Sequence, residues 1–96
     1  MGNIFDIKDK TNRVIFLSKE RWSHIISQTS PHAYMSSYLE EIKETLINPD
    51  KMFRYSNKAN YYKFIKIKNS FLKLIVRYLN GNGFIITSYL VKKISK

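Results

Sequence analysis

Residues 71 to 90 read FLKLIVRYLNGNGFIITSYL. Two apolar runs of strand length are split here by Asn80-Gly81-Asn82-Gly83, a cluster rich in residues that tolerate tight-turn backbone. In the first run Leu72, Leu74, Val76 and Tyr78 alternate with Phe71, Lys73, Ile75, Arg77 and Leu79, so a side-chain period of two sends the sets to opposite faces. The first set is the core candidate. In the second run Phe84, Ile86 and Leu90 can join that core, which directs Ile85, Thr87 and Tyr89 to the other face.

Toward the N-terminus, runs 51 to 56 and 61 to 68 keep the same period. Asn57-Lys58-Ala59-Asn60 and Asn69-Ser70 separate them from each other and from the hairpin. Short connections make sequential antiparallel pairs, so residues 51 to 92 read as a four-stranded meander. With Phe53 and Tyr55 inward, Arg54 points out; with Tyr62 and Phe64 inward, Lys63 points out. Farther upstream, IFDIK (4 to 8) and RVIFL (13 to 17) flank the turn Asp9-Lys10-Thr11-Asn12 and read as a strand pair.

Two helices fit between these strand regions. Ser18 is an N-cap residue opening SKERWSHIISQ (18 to 28), where Trp22, Ile25 and Ile26 recur at helical spacing. Ser30-Pro31 restarts the chain as an N-cap with proline at the first helical position. Met35, Tyr38, Leu39, Ile42 and Leu46 then form one stripe, and Asn48-Pro49-Asp50 stops it. Glu40, Glu41, Lys43 and Glu44 take the wet side. The predicted architecture is α+β: two N-terminal helices packed on one face of a four-stranded or larger antiparallel sheet, in a single domain spanning residues 1 to 96.

The 96 residues are 44% hydrophobic and include 14 aromatics, enough apolar area for one packed domain. Without cysteine there is no disulfide framework, thiolate metal site or thiol nucleophile. MGNIFDIKDK carries acids where a signal peptide needs an apolar segment, and no apolar run approaches the roughly 20 residues that span a bilayer. The expectation is a soluble, cytoplasmic protein without a membrane partner.

The net charge is +10, and all 7 acids lie in the first fifty residues. Residues 51 to 96 hold 11 of the 17 basic groups and no acid. Such a field attracts polyanions, phosphate backbones before anionic lipid. An AT-rich coding bias accounts for abundant lysine but not for missing glutamate. By strand parity one face gathers Arg54, Lys63, Lys73, Arg77, Thr87 and Tyr89, aromatics and hydroxyls among cations, as suits a strand of RNA. The blander alternative is a solvated face whose lysines block edge aggregation, and Lys66, Lys68, Lys92 and Lys93 are assigned to it. Arg54 has its own alternative, an ion pair with Glu40 or Glu44.

The succession ERWSHI (20 to 25), Pro31-His32, NPD (48 to 50), RY (54 to 55), YYK (61 to 63), LKLIV (72 to 76) and ITSY (86 to 89) resembles the small phage-type nuclease-like proteins of the barnase, EndoU, colicin and RelE superfamily. The resemblance covers about residues 13 to 92. It implies helices before a curved antiparallel sheet, an active site on the sheet's free face and no cofactor. It also implies a toxin of a toxin–antitoxin or phage-related system, restrained by an acidic antitoxin or immunity-type protein. Carried over position by position, it places His24, Arg54, Lys63, Thr87 and Tyr89 in the catalytic cleft. His32, a second possibility for the histidine, is with Lys73 and Arg77 an RNA-binding candidate. Ser88 stands where Ala is common, and the sheet lacks the catalytic carboxylate of the barnase pattern.

The implied reaction is attack of a ribose 2′-hydroxyl on the adjacent phosphate, leaving a 2′,3′-cyclic phosphate. It needs a base, an acid and cations around the phosphorane. Magnesium wants carboxylates, none of which follows Asp50, and the two histidines with scattered acids do not suit zinc, so no metal is expected. The alternative is a non-catalytic RNA- or DNA-binding module using the same face.

Overall fold

The computed structural model describes residues 2–27 and 30–95. The chain runs β1 (Asn3–Lys8), β2 (Val14–Ser18), α1 (Lys19–Ile26), a 3₁₀ turn (Ala33–Ser37), α2 (Leu39–Ile47), β3 (Lys51–Tyr55), β4 (Lys58–Ile65), a second 3₁₀ turn (Lys66–Lys68), β5 (Ser70–Tyr78) and β6 (Asn82–Val91). β1 and β2 form the expected antiparallel pair. Asp9 closes it, its Oδ1 accepting from the Thr11 amide, the Thr11 hydroxyl and the Arg13 amide. Ser18 caps α1 by accepting from the Arg21 amide at 3.0 Å. Gln28, the expected end of that helix, lies outside the described residues.

The sheet has six strands in the order β1-β2-β6-β5-β4-β3. β3 to β6 are the expected antiparallel meander, but β2 joins β6 in parallel over Val14 to Phe16, so the sheet is mixed. The fold is α+β, with one correction of order: both helices lie between β2 and β3 rather than at the N-terminus. A parallel neighbour cannot be reached through a tight turn, so a long connection must intervene. Helices of that connection cover one face. Ile25 of α1 and Ile42 and Leu46 of α2 meet Ile15, Leu17, Leu72, Leu74, Val76 and Ile85 in one buried cluster.

The second helix is shorter than its stripe predicts. Ser30 accepts from the His32 amide in a local turn, the 3₁₀ turn follows, and α2 begins at Leu39 with no side-chain cap on Tyr38. The stripe nevertheless stays on one side, with Met35, Ile42 and Leu46 fully buried. Spacings of three and four serve a 3₁₀ turn and an α-helix alike, so periodicity cannot see the break.

Strand parity is as expected in β5, where Leu72, Leu74, Val76 and Tyr78 are buried. In β4 it is inverted. Ala59, Tyr61 and Lys63 pair with Val76, Leu74 and Leu72, so they share the helix side, while Tyr62 and Phe64 face the opposite side. Arg54 pairs with Ala59 and follows it to the helix side, with Phe53 and Tyr55 opposite. The outward placements of Arg54 and Lys63 are therefore corrected. YYKFI offers an aromatic to either parity, and the far face also carries Phe53, Phe64 and Phe71, so hydrophobicity alone does not mark the core side. In β6 the register shifts between the Ile75–Thr87 and Val76–Ile85 pairs. That bulge returns Thr87 and Tyr89 to the far face as expected, yet it puts Ile85 in the core and Phe84 opposite, the reverse of the sequence reading.

Candidate nucleic-acid interface

The face turned away from the helices is organised in rows that cross the strands. One row pairs Lys51, Tyr62, Lys73 and Tyr89 across β3 to β6. The next holds Phe53, Asn60, Ile75 and Thr87, and a third holds Tyr55, Lys58, Arg77 and Phe84. Cations and aromatic rings thus alternate across the first row, and the third sets Lys58 and Arg77 between the rings of Tyr55 and Phe84. By register Asp6 shares this face, but at the edge strand β1, where Asn3 donates to it. Glu40, Glu41 and Glu44 belong to α2.

The first row has a defined centre. The Lys73 ammonium lies 5.7 Å from the Tyr62 ring centre and 5.6 Å from that of Tyr89, within cation–π range of both. Partial burial pushes its pKa down, but the charges and hydrogen bonds of the Tyr89 and Tyr62 hydroxyls outweigh this and raise it above the usual lysine range. His32 stacks on Tyr89 with centres 4.7 Å apart and planes 15° apart. Tyr34 stands edge-on to His32, and its hydroxyl accepts from the Leu90 amide at 2.9 Å, which pins the segment ahead of α2 against β6. Tyr62 is fully buried, its hydroxyl donating to the Ser95 carbonyl at 2.7 Å, so the chain beyond β6 returns to this row.

His32, Lys73 and Tyr89 therefore meet in one cluster, with Thr87 and Arg77 on the same face in the following rows. Three sequence candidates lie elsewhere. Lys63 donates to the Asn48 carbonyl at 3.0 Å, a cation at the C-terminal end of α2, where the helix dipole favours it. Arg54 lies over the Tyr78 ring at 4.9 Å, with Arg13 over the same ring at 4.3 Å. The only ion pair among the described residues joins Lys43 to Glu40, so Arg54 pairs with neither Glu40 nor Glu44.

His24 is exposed on α1 and belongs to a separate place. With Glu20 and Arg21 it lines one side of a cavity of about 410 Å³, and Phe16, Leu79 and Phe84 line another. Lys51, Asn60 and Tyr62 were missed as members of the basic face, and Phe16, Arg21 and Phe84 as lining of this cavity. Their signal is register, which local alternation supplies only once the true inward residues of β4 and β6 are known.

A carboxylate does reach the sheet, on the helix side. Asp9 is buried and accepts a hydrogen bond from the Tyr61 hydroxyl, which is in turn 2.8 Å from that of Tyr78. Burial, then the hydrogen bonds to Asp9 and Tyr78, push the Tyr61 phenol far above the usual tyrosine range. This chain of groups is walled off from the Lys73 cluster by the sheet itself. Against known proteins, no family model, no curated protein and no solved structure matches this chain.

Proposed function

We propose that the chain binds single-stranded RNA on the Lys51–Tyr62–Lys73–Tyr89 face and cuts it there as a metal-independent endoribonuclease with a RelE- or barnase-like fold. What carries this reading is the contact of His32 with Tyr89 beside the Lys73 ammonium. An imidazole, which can accept or donate a proton, a phenol and a fixed cation then face one bound phosphate. His32 takes the 2′-hydroxyl proton, Lys73 stabilises the phosphorane, Tyr89 gives its phenolic proton to the departing 5′-oxygen, and Arg77, two rows away, holds a flanking phosphate. Thr87 holds a phosphate or base in the next row. His24, Arg54 and Lys63 take no part in this chemistry. A basic face without a carboxylate at its centre suits an acidic antitoxin or immunity-type partner, and cytoplasmic RNA is the natural substrate.

A second reading, RNA or DNA binding without cleavage, is favoured by one feature: Tyr62 is buried against the C-terminal segment rather than open to substrate. Incubating the purified chain with end-labelled RNA in EDTA separates the two. Cleavage predicts 2′,3′-cyclic phosphate ends whose formation slows by about 10²–10⁴-fold in His32→Ala and falls in Tyr89→Phe. RNA that is retarded but intact leaves the binding module. RNA neither retarded nor cut sinks both.

A further inference from the structure

We infer that the cavity between α1 and the start of β6 is a nucleobase slot, which takes one unstacked base from a strand held on the neighbouring basic face. This deepens the RNA-binding reading and rests on it. Its origin is topological. β2 pairs with β6 only from Val14 to Phe16, after which Ser18 leaves to cap α1, and the helix borders the opening so formed.

The two sides differ in chemistry. Phe16 and Phe84, with ring centres 5.9 Å apart, offer apolar surface and π-faces with Leu79 beside them. On the helix Glu20, Arg21 and His24 stand at positions that share one face. A base can lie against the rings while Glu20 accepts from its exocyclic amine. Phosphate is left to Arg21, which is exposed on the helix, and to Arg77, the cross-strand neighbour of Phe84. The carboxylate thus turns an otherwise cationic mouth from a phosphate site into a base site. A volume of about 410 Å³ lies in the range of small-molecule pockets. Arg77 and Lys73 lie four residues apart on β5, roughly 13 Å, so an oligonucleotide spans slot and cluster while a mononucleotide occupies one of them.

Titrating cytidine and uridine 5′-monophosphates into the isotope-labelled full chain tests the slot without requiring cleavage. Saturable amide shifts are expected at Arg21, His24 and Phe84, stronger for cytidine than uridine, with the difference reduced in Glu20→Gln. The double variant Arg21→Ala/His24→Ala should weaken binding at least about fivefold. Both residues are exposed, so the fold survives, and Lys73→Ala should leave the slot shifts in place. Shifts confined to Lys73 and Tyr89, shifts reproduced by inorganic phosphate, or no saturable shifts overturn the slot. A chain that fills it yet leaves RNA intact in EDTA sinks the nuclease reading alone, whereas an active nuclease with an unshifted slot sinks this inference alone.

Discussion

Tyr61 joins two turns of the sheet through one hydroxyl, donating to Asp9 of the first hairpin and meeting Tyr78 at the last. Removing it in Tyr61→Phe leaves a buried carboxylate short of a donor and should cost about 1–3 kcal/mol in urea unfolding. Because the folded-state pKa is raised, the stabilisation is complete below the ordinary tyrosine pKa and is lost as pH climbs from there toward the folded value. The unfolding free energy should fall above about pH 10 by as much as about 1.4 kcal/mol per unit, and the fall should be shallower in Tyr61→Phe. A matching alkaline slope in the two proteins would remove Tyr61 from that role. The neighbouring residue shows why the site was only partly legible. Tyr61 and Tyr62 are chemically identical candidates for the core, and the pairing with Leu74 gives the place to Tyr61. That ambiguity moved Lys63 to the wrong face, and a separate one in β3, where Phe53 and Tyr55 read as inward, moved Arg54, whereas Lys73, Arg77, Thr87 and Tyr89 were anchored by the unambiguous alternation of β5 and by a bulge that restored the parity of late β6.

At the level of elements, β6 holds the sheet together because it accepts β5 on one side and β2 on the other. Gly83 sits at that junction, opposite both Tyr78 and Ile15. A Cβ there would lie 2.5 Å from the Arg77 carbonyl oxygen and 3.1 Å from Ile15 Cδ1, and the first of these is backbone that cannot rotate away. Gly83→Ala should therefore destabilise by about 1–3 kcal/mol, read as a lower urea midpoint, with the β2–β6 amides losing exchange protection first. Ser18→Ala should cost about 1 kcal/mol, since the hydroxyl that meets the Arg21 amide is the α1 cap. That cap and the meander turns were readable because each rests on a local rule. The parallel β2–β6 pairing was not, because its partners are far apart in the chain and leave no mark on neighbouring residues.

Across the whole molecule the acids of α2 and the rows of cations and rings lie on opposite sides of the sheet. Glu40, Glu41 and Glu44 belong to a helix on one side, while Lys51, Lys58, Lys73 and Arg77 share the other with the rings of Tyr55, Tyr62, Phe84 and Tyr89. The imbalance between halves of the chain was plain from composition, but only the register distributes it. Lys63 and Arg54 carry the same charge as Lys73 and lie behind the sheet. This yields a prediction that total charge cannot make. Binding of a single-stranded oligonucleotide should weaken with salt, and losing one phosphate contact lowers the logarithmic slope by about 0.7. Lys73→Ala and Arg77→Ala should each show that reduction. Arg54→Ala and Lys63→Ala remove identical charge from the helix side and should leave the slope as it was. If all four variants shift it equally, the partner feels only net charge and the far face has no special standing; if only the helix-side pair does, the strand lies over Tyr78 instead.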